Sequence, residues 1–224
     1  MVTRNVSFAE GEFYHLYNRG VEKRVIYNDE NDYSRFIDLL YLCNTNESIN
    51  VRNVRRMNKS IFDFERGKTL VSIGAYCLMP NHFHLLVTPN TENGVSDFMS
   101  KLGTSYSMYF NKKNERTGSL CETRYKSKHV DSDNYLKYLY SYIHLNPVKL
   151  VQSDWRENGI KDLEKTFNYV NDYKYSSLQD YLGTDREAKN ILNRDVFPDY
   201  FGEESTVKKE IFEWLSFSPD LGRT

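Results

Sequence analysis

His82 and His84 flank Phe83 in a short β-prone stretch, 82–88. On a strand, residues i and i+2 share a face. Both imidazoles then project together while Phe83 turns the other way, toward a core. Two neutral imidazoles so placed are good ligands for one divalent metal. Taken alone, an H-x-H triplet is equally compatible with two unrelated histidines near a strand end. A second group is Tyr142-Ile143-His144-Leu145-Asn146-Pro147. Tyr142 and Asn146 are four residues apart and share one helix face if helical geometry persists to Asn146. A tyrosine hydroxyl can act as a nucleophile, and an amide oxygen one turn later is a hard ligand for the same metal. The chain holds 18 tyrosines, and any one of them is more often packed than reactive. Periodicity does not choose among Tyr135, Tyr138, Tyr140 and Tyr142. His15 and His129 read as lone strand histidines with packing or surface roles. His144 reads as structural, turned away from the Tyr142 face.

These groups need elements to hold them. Residues 13–18 read as an aromatic strand closed by Arg19-Gly20. Tyr33, Phe36, Ile37 and Leu40 fall at helical spacing, in a helix starting near Asp29. Residues 44–68 are polar and without period, which predicts a loop or arm. Stretches 70–78 and 82–88, joined by Met79-Pro80-Asn81, predict a hairpin. Val95, Phe98, Met99, Leu102, Tyr106, Tyr109 and Phe110 give the strongest helix pattern. A strand over 124–130 follows. Then comes a helix over 135–145, preceded by the capping run Asp131-Ser132-Asp133-Asn134 and stopped by Asn146-Pro147. The order predicts an α+β fold, a ferredoxin-like antiparallel sheet with helices on one face. Residues 151–224 look like an appended helical part, with Val207, Ile211, Trp214 and Leu215 on one helix face and Ser205 as its N-cap.

Composition narrows the class. The chain has 224 residues, 39% apolar and 27% charged, which is globular rather than disordered. No apolar run approaches a membrane span. The start, Met1-Val2-Thr3-Arg4-Asn5, carries no apolar signal core. Cys43, Cys77 and Cys121 are odd in number and far apart, against a disulfide framework or a structural zinc site. A cytoplasmic protein is expected. The near-neutral total hides a basic body, +4 over 1–150, and an acidic remainder, −5 over 151–224. Lys101, Lys112, Lys113, Arg116, Arg124, Lys126 and Lys128 crowd one stretch, and Arg52, Arg55, Arg56 and Lys59 another. Such groups suit phosphates or form an ordinary solvated surface.

Three separated segments carry a resemblance. The segment from Ala75 through Met79-Pro80-Asn81-His82-Phe83-His84 to Val87 resembles the signature strand pair of the HUH transposases that use a single catalytic tyrosine. Tyr142-Ile143-His144-Leu145-Asn146-Pro147-Val148 resembles that family's tyrosine helix, and Tyr14-His15-Leu16-Tyr17-Asn18-Arg19-Gly20 its first strand and turn. Arg124-Tyr125-Lys126-Ser127 and Tyr175-Ser176-Ser177 also fit. Together they resemble the IS200-like branch called REP-associated tyrosine transposases, over about 13–183.

The resemblance implies an HUH catalytic core over 1–150 with a helical extension, 151–224, packed on it. It implies that His82, His84 and Asn146 bind Mg²⁺ or Mn²⁺. It also implies that Tyr142 attacks the scissile phosphate of hairpin-bearing single-stranded DNA, leaving a 5′-phosphotyrosine link and a free 3′-hydroxyl. A monomer is favoured, a dimer being the alternative. Asn18, Arg19 and the basic stretch from Lys101 to Lys128 are the expected DNA contacts. The competing reading is a domesticated protein that binds hairpin DNA without cutting it.

Overall fold

The computed structural model describes residues 7–57, 59–200 and 203–216. Strands β1 (Phe13–Arg19), β2 (Val71–Met79), β3 (His82–Pro89) and β4 (Lys126–Val130) form one antiparallel sheet in the spatial order β2-β3-β1-β4. This is the expected α+β arrangement, with the ferredoxin-like strand order. Pro80-Asn81 makes the tight turn of the β2–β3 hairpin, with Met79 paired to His82. Gly74 interrupts that hairpin, where the register steps from Ile73–Val87 to Ala75–Leu86. The bulge flips the alternation of β2 between faces. A Cβ on Gly74 would meet the Phe197 ring at 2.8 Å, so glycine is required there.

Helix α1 (Glu30–Leu42) begins where the Asp29 side chain accepts the Asp32 N–H. A short α2 (Val51–Met57) and the 20-residue α3 (Gly94–Lys113) follow. Phe36, Leu39 and Leu40 of α1 and Phe98, Leu102 and Tyr106 of α3 pack on Leu16, Phe83, Leu85 and Val87 of the sheet. Helix α4 (Asp133–His144), capped by Ser132, lies on the opposite face. Its Leu136, Leu139, Tyr140 and Ile143 meet Ala75, Cys77, Met79 and Leu86. Five further helices, α5 (Val148–Val151), α6 (Trp155–Asn158), α7 (Leu163–Asn171), α8 (Leu178–Tyr181) and α9 (Glu204–Ser216), feed Val148, Trp155, Val170, Leu178 and Val207 into that second core.

The helices thus cover both faces of the sheet, not one. The physical reason is that every residue of β2 is buried, and a strand buried on both sides needs a layer on each. Two smaller expectations also change. Residues 44–68 contain α2 and a turn of 3₁₀ helix at Ile61–Asp63. Only Val54 of α2 is buried, too little apolar content to give a period. Ser205 lies inside α9, which starts at Glu204, so it is not the cap.

The outer edge of β2 is occupied. Leu78 N–H donates to Tyr175 O at 2.9 Å, Ser177 N–H to Tyr76 O at 2.9 Å and Asn193 N–H to Ile73 O at 3.0 Å. The Ser177 hydroxyl also accepts the Tyr76 N–H at 2.9 Å and lies 2.8 Å from His144 Nε2. His144 thereby ties α4 to that edge. Among the described residues no helix is long and apolar enough to cross a membrane.

Candidate active site

Strand β3 turns His82 and His84 toward α4, while Phe83 faces the other core and packs on Phe36 with ring centroids 5.0 Å apart. The two imidazoles stand perpendicular, 5.1 Å between centroids. His82 Nδ1 lies 2.5 Å from Asn81 Oδ1. Strand β1 runs alongside, pairing Tyr17 with His84 and Arg19 with His82. From the same face of β1, His15 Nε2 meets His84 Nδ1 at 2.8 Å, with the ring planes inclined by 25°. Helix α4 lowers Tyr142 onto this group. Its ring centroid is 5.4 Å from that of His84 and 5.9 Å from that of His15, edge-on to both. Tyr140 points the opposite way, into the second core against Tyr181.

Asn146 lies just past the end of α4. Its Nδ2–H donates to Tyr142 O at 2.8 Å. Its Oδ1 is buried with no hydrogen-bond partner, and so is His84 Nε2. A buried imidazole nitrogen and a buried amide oxygen without partners, with the His82 ring 5.1 Å from that of His84, are groups that could ligate a divalent cation. Among the described residues no three His, Cys, Asp or Glu side chains cluster to hold a metal. His82, His84 and Asn146 could instead offer two imidazoles and an amide, neutral groups that would leave a cation its full charge.

Burial and neighbouring cations disfavour protonation of the imidazoles. Burial, then Arg19 and Lys149, push His82 down to about 4. Burial, then His15, His82, Lys149 and Arg19, hold His84 well below its ordinary value. His15 also falls to about 4, through burial and then Lys128. Neutral imidazole is the form that ligates a metal. Burial raises the Tyr142 hydroxyl, and Arg156 opposes the rise. The Arg156 guanidinium lies 5.1 Å from the Tyr142 ring centre.

A cleft of about 640 Å³ opens beside the histidines, lined by His15, Tyr17, His84, Lys128, Tyr135, Tyr138 and Tyr142. Tyr135, Tyr138 and Tyr142 form a ladder along α4, with centroids 6.2 Å and 5.9 Å apart. Lys128 Nζ sits 4.4 Å over the Tyr135 ring. Another cleft, of about 700 Å³, lies across the sheet around Asn18, Phe83 and α3. None of the histidines lines it.

The expected DNA contacts divide. Arg19, Lys126 and Lys128 are exposed on the histidine face. Arg124 is exposed at the entry to β4, and Lys112 is exposed on α3, away from the histidines. Asn18 is buried, and its side-chain amide is bonded to the backbone at both ends. Nδ2 donates to Thr123 O at 2.8 Å and Arg124 O at 2.9 Å, and Oδ1 accepts Arg19 N–H at 2.9 Å. It fastens the segment before β4, and both of its Nδ2 hydrogens are taken. Lys101 Nζ donates to Thr45 O and Glu47 O. Lys113 is held by Asp29 and Asp32. Arg116 donates to Asn111 Oδ1 and Ser119 O. These three brace the fold rather than line the site. Three residues at the site escaped the sequence reading. His15 becomes visible only once β1 is paired with β3. Lys149 and Arg156 follow the Asn146-Pro147 stop, where the sequence shows no helical period to place them.

A ferredoxin-like sheet carrying an H-x-H strand against a tyrosine helix is the arrangement that the sequence resemblance implied. The family described as IS200-like transposase matches residues 33–146, just over half of the chain, and the chain belongs to that family. One solved structure, of a REP-associated tyrosine transposase bound to a REP hairpin, is similar at a TM-score of 0.49 and 12% identity, covering 100% of this chain and 95% of that one. No protein of curated function matches the chain.

Proposed function

We propose that this transposase cleaves and rejoins hairpin-bearing single-stranded DNA, with Tyr142 as nucleophile and a divalent metal held by His82, His84 and Asn146. One observation carries the reading. The Tyr142 ring lies 5.4 Å from that of His84, whose Nε2 is buried without a partner, and Asn146, bonded through Nδ2 to Tyr142 O, has a buried Oδ1 without one. When bound, Mg²⁺ or Mn²⁺ polarises the scissile phosphate and offsets charge developing in the transition state. Tyr142 Oη forms a bond to phosphorus as the bond from phosphorus to the 3′-oxygen breaks. The phenolic proton leaves Tyr142, and the departing 3′-oxygen gains one. One phosphodiester replaces another, so reversal onto a new 3′-hydroxyl needs no nucleotide cofactor. Arg156, over the Tyr142 ring, favours the phenolate. Arg19, Lys126, Lys128 and Lys149 serve the flanking phosphates. Tyr135 and Tyr138 offer stacking faces to unpaired bases. The hairpin as substrate rests on the family.

The test is a denaturing gel of an end-labelled hairpin oligonucleotide incubated with the protein and MnCl₂. A covalent protein–DNA band is expected from the wild type, absent in EDTA and absent in Tyr142→Phe, which still binds the hairpin. An adduct that survives Tyr142→Phe moves the nucleophile to Tyr138, which lines the same cleft. Tight hairpin binding without adduct in MnCl₂, and again in MgCl₂, makes the protein a binder that does not cut.

A further inference from the structure

We propose that His15 is a positioning residue that fixes the tautomer of His84, leaving His84 Nε2 a lone pair for metal; this rests on the reading of His84 as a ligand. His15 Nε2 and His84 Nδ1 lie 2.8 Å apart, and both rings are buried. The ring planes are inclined by only 25° with centroids 5.0 Å apart, so the two rings meet edge to edge, close to one plane. Across a contact this short one nitrogen donates and the other accepts. If His15 donated, His84 would carry its own hydrogen on Nε2 and could not ligate through that atom. If His84 Nδ1–H donates, His15 accepts and His84 Nε2 is a bare lone pair. Nε2 has no protein partner in either case, and only the second arrangement leaves it a lone pair for a metal. Backbone pairing holds the two rings in place. Tyr17 sits opposite His84 and His15 opposite Leu86, so His15 reaches His84 diagonally across the same face, a distance that long side chains span. A histidine ligand whose other ring nitrogen donates to a fixed acceptor is oriented and made more basic.

Two readouts that do not depend on strand cleavage test this. The first is a long-range ¹H–¹⁵N correlation spectrum of histidine-labelled, metal-free protein, with His84→Gln used to assign the signal. His84 is expected as the Nδ1–H tautomer, and an Nε2–H tautomer in the wild type overturns the proposal. The second is calorimetric titration with MnCl₂ alone. His15→Leu is expected to weaken Mn²⁺ binding about 10- to 100-fold, the loss typical for removing a ligand's outer hydrogen-bond partner. His15→Gln keeps an acceptor oxygen and is expected to recover most of that loss, which a purely structural role would not explain. Unchanged Mn²⁺ affinity in a folded His15→Leu overturns the proposal. If His15→Leu does not fold, the wild-type tautomer decides. A wild type that binds no Mn²⁺ overturns the ligand reading and this inference with it, and the wild-type arm separates that failure from a failure of His15 alone.

Discussion

Replacing Asn146 with leucine sets stability against function. Leucine has nearly the shape of asparagine and no polar atoms. The change removes a buried carbonyl oxygen that has no partner, relieving a desolvation penalty of about 1–3 kcal/mol. It also removes the 2.8 Å bond from Nδ2 to Tyr142 O, costing about 1 kcal/mol. Without metal the variant should therefore be as stable as the wild type or more stable, by up to about 2 kcal/mol. For a chain of this size 1 kcal/mol moves the melting temperature by about 2–4 °C. In EDTA, Asn146→Leu should melt level with the wild type or up to about 8 °C above it. Metal reverses the order. At a free Mn²⁺ concentration 100 times its Kd, the wild type gains about 2.7 kcal/mol, about 5–11 °C. The variant, short of one of three ligands, gains little. The assay is a pair of thermal melts followed by circular dichroism, in EDTA and in MnCl₂. If Asn146→Leu melts well below the wild type in EDTA, or rises with Mn²⁺ as far as the wild type does, the reasoning from orphaned acceptors fails.

Other perturbations separate the fold from the site. Asn18→Ala deletes three hydrogen bonds, each worth about 1 kcal/mol; it should lower the melting temperature by about 6–12 °C without changing which hairpin sequence the folded protein prefers in a gel-shift competition. Lys128→Gln should reduce the slope of log affinity against log salt for single-stranded DNA by about 0.7. Lys113→Gln should leave that slope as it is, because Lys113 already sits between Asp29 and Asp32. Burial raises the Asp38 carboxyl above its ordinary 3.8 even though Arg55 is its partner. Over the window between 3.8 and the raised value the folded state binds the proton that the unfolded state has released. Stability contributed there grows as pH falls toward 3.8, and denaturant melts of Asp38→Asn should lack that rise.

Local chemistry made much of this fold legible in sequence. Pro80-Asn81 between two apolar stretches forms the hairpin turn, Asp29 caps α1, and the i, i+2 spacing of His82 and His84 puts both on one face. Tyr142 and Asn146 also stay together, because the chain keeps a helical turn past His144. The features that were not legible depend on partners distant in sequence. A lysine in a basic stretch reads alike whether it faces solvent or, like Lys101, ends on the carbonyls of Thr45 and Glu47. His15 looks solitary until strand register sets it against His84. The two-sided burial of the sheet was written in the runs Ala75-Tyr76-Cys77 and Leu85-Leu86-Val87, which do not alternate, but a short apolar run does not say what covers it.

The bonds from Tyr175, Ser177 and Asn193 along β2 have a consequence for assembly. An open strand edge recruits other chains, by swapping or by aggregation. Here the polypeptide seals its own edge with a segment drawn from a hundred residues further along, and the far edge, β4, is five residues long and carries Lys126 and Lys128. A second copy therefore cannot extend the sheet through β2. A chain cut after the tyrosine helix would expose that edge at once, so shortened forms should precipitate or pair edge to edge more readily than the intact protein.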